Sequence, residues 1–249
     1  VAGRADWARV FDLDVSRASP GLREATGQGW CRIGQMEHAS LAAFARFALQ
    51  LLSLGAPPSL IEATTAAMAD ETRHAQLAFG VASALLGRAV GPAALDVQQS
   101  LVETSLVEVA RLVIREGCIG ETCAALEARE AALHARQPEL AQLLHRVADD
   151  ESRHAELAWR FVAYALELEP QRVGELLNTE LRSERALVES APLLAVSAHE
   201  LASSAFGILP ERQRCELRAL ALREVVAPCA AALLQRGRGA VAENQVLSA

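Results

Sequence analysis

The run Asp70-Glu71-Thr72-Arg73-His74-Ala75 returns 80 positions later as Asp150-Glu151-Ser152-Arg153-His154-Ala155. Across 70–79 and 150–159, seven of ten residues are identical. Each copy follows a lone glutamate at nearly the same distance: Glu37 lies 34 residues before Glu71, and Glu116 lies 35 before Glu151. Residues three apart on an α-helix project to the same side. Glu71 therefore points with His74, and Glu151 with His154. An upstream carboxylate reaches the same depth when the chain folds back as an antiparallel helical hairpin. Two such hairpins facing one interior supply four carboxylates and two imidazoles. That set suits a carboxylate-bridged two-metal site between four helices.

Composition agrees with an all-α fold. Hydrophobic residues make up 51% of the 249-residue chain, enough for a sizeable core, while aromatics make up only 4%. The apolar content is mostly Ala and Leu, which favours packed helices over a sandwich or barrel. A net charge of −7 leaves no basic surface to neutralise phosphates, so nucleic acid is not an expected partner. No apolar run is long enough to span a membrane. The five cysteines, Cys31, Cys118, Cys123, Cys215 and Cys229, form no C-x-x-C pair. An odd count without that spacing fits neither a disulfide framework nor a zinc site. Buried thiols in a reducing, cytoplasmic compartment are expected.

Punctuation by Gly and Pro sets the elements. Residues 1–27 are expected to form an arm with little regular structure, and helical periodicity begins near Trp30. The stretch Gly55-Ala56-Pro57-Pro58 ends the first helix, and Ser59-Leu60-Ile61-Glu62 has the pattern of a capping box for the second. A third helix is expected from the 96–105 region to Ala135, and a fourth from Pro138 to about Leu168. Both motifs face one interior only if helices 2 and 3 are joined by a long crossover. If helix 3 began at Asp96, the crossover would have only about nine residues, or roughly 30 Å of reach. Helix 3 is therefore expected to start later, or 96–104 to make a separate crossing turn. Residues 170–249 carry further helical pattern, with Pro228 expected to kink the last helix. This extension is expected to cap the bundle or to build a homodimer interface.

Carboxylate oxygens with one imidazole per metal suit iron or manganese. Four glutamates also balance two divalent cations. A metal-bound histidine usually gives its free N–H to a supporting carboxylate. Asp70 and Asp150 are placed to reach the His of the opposite motif, with Arg73 and Arg153 holding the aspartates. One position has two candidates. Spacing assigns Glu116 to helix 3, but Glu121 lies five residues on. A π-bulge near Gly117 and Gly120 would bring i and i+5 together, making Glu121 a further ligand or a proton donor. Gly120 itself either leaves room for dioxygen or substrate or serves close helix packing. His38 reads as a supporting or interface residue. Tyr164 lies ten residues past His154, about 15 Å along the axis, too far for a metal-adjacent radical.

These two D-E-x-R-H motifs with their upstream glutamates resemble the ferritin-like di-iron carboxylate superfamily, most closely its oxygen-activating branch. The resemblance covers about residues 28–169 and implies a ferritin-like four-helix bundle. It assigns metal-ligand roles to Glu37, Glu71, His74, Glu116, Glu151 and His154, with two Fe ions, or Mn and Fe, as cofactor. It further implies an oxidase or oxygenase that uses dioxygen, an electron donor, and a small-molecule or carrier-bound substrate. A ferroxidase or iron-handling protein is the alternative, and a metal-stabilised helical scaffold the second.

Overall fold

The computed structural model describes residues 4–98, 105–192 and 195–236. Among these, all regular structure is helical. Helix α1 spans Pro20–Ser53, starting well before Trp30. Ser19 caps it, its hydroxyl accepting from Leu22 N at 3.3 Å, and Pro20 fits the first turn. The expected boundary at residue 28 thus falls inside α1. A glycine that made this stretch look irregular serves contact instead: Gly27 faces Leu85 and Leu86. Farther along the helix, Gly34 faces Phe79. Helix α2 spans Pro58–Leu86 and ends at Gly87, whose φ of 65° is left-handed. The expected Ser59–Glu62 capping box is not formed; Pro57 is the N-cap and Pro58 supplies the first turn.

Residues 87–98 cross over without regular structure. The rest of the expected crossing turn, 99–104, lies outside the described residues. Ser105 then caps α3, Leu106–Leu112. It runs without a break into a π segment, Val113–Glu121, and on into α4, Thr122–His134. Helix α5 spans Pro138–Leu168. The extension holds α6, Pro170–Glu189, then the short α7, Ala198–Ser204, and α8, Glu211–Ala221. Helix α8 passes through a second π segment, Leu222–Val226, before helix resumes over 227–236. Pro228 accounts for that segment. It lacks an N–H and crowds the carbonyl four residues back, and the wider turn absorbs both. The end of the extension, 237–249, falls outside the described residues.

Helices α1 and α2 pack as one antiparallel hairpin, α4 and α5 as a second, and α2 lies against α5. Two apolar clusters separate along their length. Trp30, Leu77, Leu85, Leu140 and Leu144 form one. Phe47, Leu51, Ile114, Leu157 and Phe161 anchor the other, with the Phe47 and Phe161 rings edge-on at 5.2 Å. The repeated motifs fall between them. Helix α6 braces the π segment: buried Glu180 accepts from Arg111 at 2.7 Å and Arg115 at 2.5 Å. The N-terminal arm is not detached. Arg9 N donates to Gln76 O at 3.1 Å, and a Cβ at Gly80 would lie 2.2 Å from Arg9 O. Only glycine permits that approach.

Candidate metal centre

Three-residue spacing places Glu71 with His74 on α2 and Glu151 with His154 on α5, and all four are buried. Two donor sets result. Glu37, Glu71, His74 and Glu151 each offer a ligand atom within 4.8 Å of one another, and so do Glu71, Glu121, Glu151 and His154. Glu71 and Glu151 belong to both. His154 Nδ1 lies 3.0 Å from Glu151 and 3.1 Å from Glu71. His74 Nδ1 lies 3.2 Å from Glu151.

Each imidazole turns its other nitrogen to the opposite motif. His74 Nε2 is 3.1 Å from Asp150 Oδ2, and His154 Nε2 is 3.3 Å from Asp70 Oδ2. Donation from Nε2 leaves Nδ1 facing the carboxylates, as a metal-binding histidine requires. Arg73 pairs with Asp70 and Arg153 with Asp150. Arg153 also reaches Asp70 at 3.4 Å. The crossed arrangement read from the motifs is therefore present.

Helix 3 differs from the expected ligand set. Glu116 points away from the cluster and bonds Arg46 on α1 at 2.5 Å, with its side chain 49% exposed. Glu121 enters the cluster in its place. Both residues belong to the π segment, whose wider turn changes which side chains share a face and aims Glu121 at Glu71, Glu151 and His154. Gly117 is its point of closest approach: a Cβ there would stand 2.5 Å from the Ala158 Cβ on α5. Gly120 meets only the backbone of its own helix, at Arg115 O.

The donors are strongly coupled. Burial raises the Glu37 carboxyl well above its usual range, and the charges of Glu151 and Glu71 add to it. Burial, then Glu151, raises Glu121 likewise. Burial opposes charge on His74, but Asp150 and Glu151 prevail and lift it to about 11. His154 is lifted to about 9 by Glu151 and Glu71 against the same opposition. Those imidazoliums hold Glu151 well below the usual carboxylate range despite its burial. Protons thus stand where cations would. Two buried donor atoms lack a well-aligned hydrogen bond: Glu71 Oε2, and His74 Nδ1 although it stands 3.2 Å from Glu151. A buried polar atom left unpaired is costly, and a cation held by these residues would satisfy both.

A cavity of about 330 Å³ ends on Glu37, His74 and Glu151. Its walls are mainly apolar, with Trp30, Ile33, Leu77, Leu144 and Ile208 among them. It does not reach Glu116 or Gly120, so the room for substrate that was one of two readings of Gly120 is not part of this cavity. Part of the wall comes from the C-terminal extension, which was expected to cap the bundle or to build a homodimer interface. Trp30 Nε1 donates to Phe206 O at 2.8 Å. Gly207, at φ 81°, lets the next turn lie against Trp30 and Leu144. Phe44 is a second neighbour that no motif announced; its ring lies 5.2 Å from that of His154. All five cysteines are free. No described helix is long and apolar enough to cross a membrane.

No protein-family model, curated protein or solved structure matches the chain.

Proposed function

We propose that this is a ferritin-like di-iron protein that activates dioxygen to oxidise a small organic molecule. The observation that carries the reading is the pair of donor sets sharing Glu71 and Glu151, with an apolar cavity at one of them. Four glutamates and two neutral imidazoles would leave two divalent ions charge-balanced, and this donor set suits iron or manganese. Two irons bound here would supply dioxygen binding and its reduction.

The chain supplies everything around that chemistry. Asp70 and Asp150 fix the imidazole orientations across the hairpins. The apolar clusters on either side keep water from the buried carboxylates. Glu37, a member of one donor set, stands at the end of the cavity and so places that set beside the bound substrate. The apolar cavity favours an organic substrate over iron itself.

The test is anaerobic loading with ferrous iron, metal analysis, then oxygen in a stopped-flow spectrometer. About two irons per chain are expected, as the shared donor sets require, followed by one fast oxygen-dependent absorbance change. Absence of iron uptake would overturn the reading. Oxidation of many irons per chain would replace it with a ferroxidase.

A further inference from the structure

The cavity beside the cluster has a direction. Its lining runs along α1 from Gly29 to Glu37 and along α5 from Leu144 to Glu151. At 1.5 Å per residue, that is about 10–12 Å of depth. The cluster closes one end. Arg32 and Met36 edge it on α1, and Glu127 on α4 and Arg214 on α8 face them. Met36 is 62% exposed, so the cavity opens along this seam.

Outside the cluster, the charged groups of the lining are Arg32, Glu127 and Arg214. Arg214 is already matched: it donates to Glu127 at 2.8 Å and to Glu211 at 3.1 Å. Arg32 makes no ion pair with any described residue. Its Nη2 lies 3.8 Å from where a Gly29 Cβ would stand, and Ile208 Cδ1 lies 3.5 Å from the same point. The guanidinium is thus folded back toward the end of the cavity remote from Glu37, beside an apolar wall.

A ligand is oriented by these two ends. An anionic group on it is attracted by Arg32, which has no ion-pair partner among the described residues, whereas the cluster's own charges are balanced within it. Its body meets Trp30, Leu77, Leu144 and Ile208. We propose that the cavity binds a small apolar carboxylic acid, with the carboxylate on Arg32 and the apolar end at Glu37, His74 and Glu151. This names the substrate class of the oxidation proposed above and rests on that reading for its purpose, though not for the binding itself. The carbon presented to the cluster is then the one farthest from the acid group.

Octanoate is a suitable probe, with 1-octanol and octylamine as matched controls. Titration calorimetry on the full chain, with and without metal, measures each affinity. Octanoate should bind more tightly than either control. Arg32→Ala should weaken octanoate about tenfold, the size of a lost charged hydrogen bond, and leave 1-octanol within about twofold. Arg32→Lys should keep the carboxylate preference. Arg32 is exposed, so these changes do not threaten folding.

A second apolar cavity, of about 520 Å³, lies between α4, α5 and residues 225–236, with Arg129 at its rim. If Arg129→Ala weakens octanoate and Arg32→Ala does not, the site is misassigned. Equal binding of octylamine and octanoate would overturn the proposal outright. Either result leaves the di-iron reading standing. Octanoate preference in a chain that takes up no iron would sink that reading alone.

Discussion

Metal binding to this cluster should release far more protons than ordinary ligands would. The perturbation is addition of two equivalents of cobalt(II) or anaerobic ferrous iron at pH 7 in weak buffer. Before addition, His74 and His154 are imidazoliums, with values of about 11 and about 9. Glu37 and Glu121 are both raised well above the ordinary carboxyl value, which favours their protonated forms. Metal ligands must be deprotonated. The two imidazoliums therefore give about two protons per chain at saturation, and protons held by the raised carboxyls add to that. Unperturbed groups would release far less: a histidine near 6.5 is only about one-quarter protonated at pH 7, and a glutamate is essentially ionised. Two of each would yield roughly half a proton. A calibrated pH indicator separates these outcomes. Glu37→Gln should lower the yield, since the amide carries no such proton. Release below about one proton per chain, with metal bound, would refute the claim that protons hold the cation positions.

Three further outcomes follow from the same geometry. Glu121→Ala should leave about one metal per chain, because the set containing Glu37 and His74 remains, while Glu116→Gln should keep about two; metal analysis decides, and the reverse result would restore Glu116 as ligand. Gly117→Ala forces a methyl to within 2.5 Å of Ala158 Cβ; it should destabilise the fold by about 1–3 kcal/mol in denaturant melts and weaken the Glu121 set first. Metal-free protein should lose stability as pH rises. The raised His74 and His154 contribute fully below about 6.5, and that contribution disappears as pH passes through about 9 and about 11. Glu37 and Glu121, raised as well, act in the same direction. Thermal melts in chelator from pH 6.5 to 9.5 should show a falling Tm, and a rising one would contradict the shifts.

The motifs were readable because helix geometry is local. Three-residue spacing fixed which side chains share a face, and the flanking Asp70 and Asp150 stood one residue from the ligands they would cross. Glu121 was readable only as a competitor. Whether a helix widens into a π turn depends on its neighbours, here on Gly117 closing against Ala158. The start of α1 was hidden for a related reason. Gly21, Gly27 and Gly29 look like loop residues until Leu85 and Leu86 are seen against Gly27 and Ile208 against Gly29. The part of the cavity wall that comes from the extension left no pattern. It is built by a turn around Gly207, more than 50 residues beyond the second motif, and nothing nearby in sequence ties that turn to Trp30.

The crossed bonds between Asp70 and His154 and between Asp150 and His74 follow the rule of a two-fold contact, in which i meets j and j meets i. Within one chain, that rule makes each half the template of the other. The cavity breaks the equivalence. Glu37 and His74 line it, whereas Glu121 and His154 do not. An ion on the Glu37 side would face a doorway, and an ion on the Glu121 side a wall. Two positions built from nearly the same six-letter word would then differ in what they can exchange: the first with whatever enters, the second only with its partner.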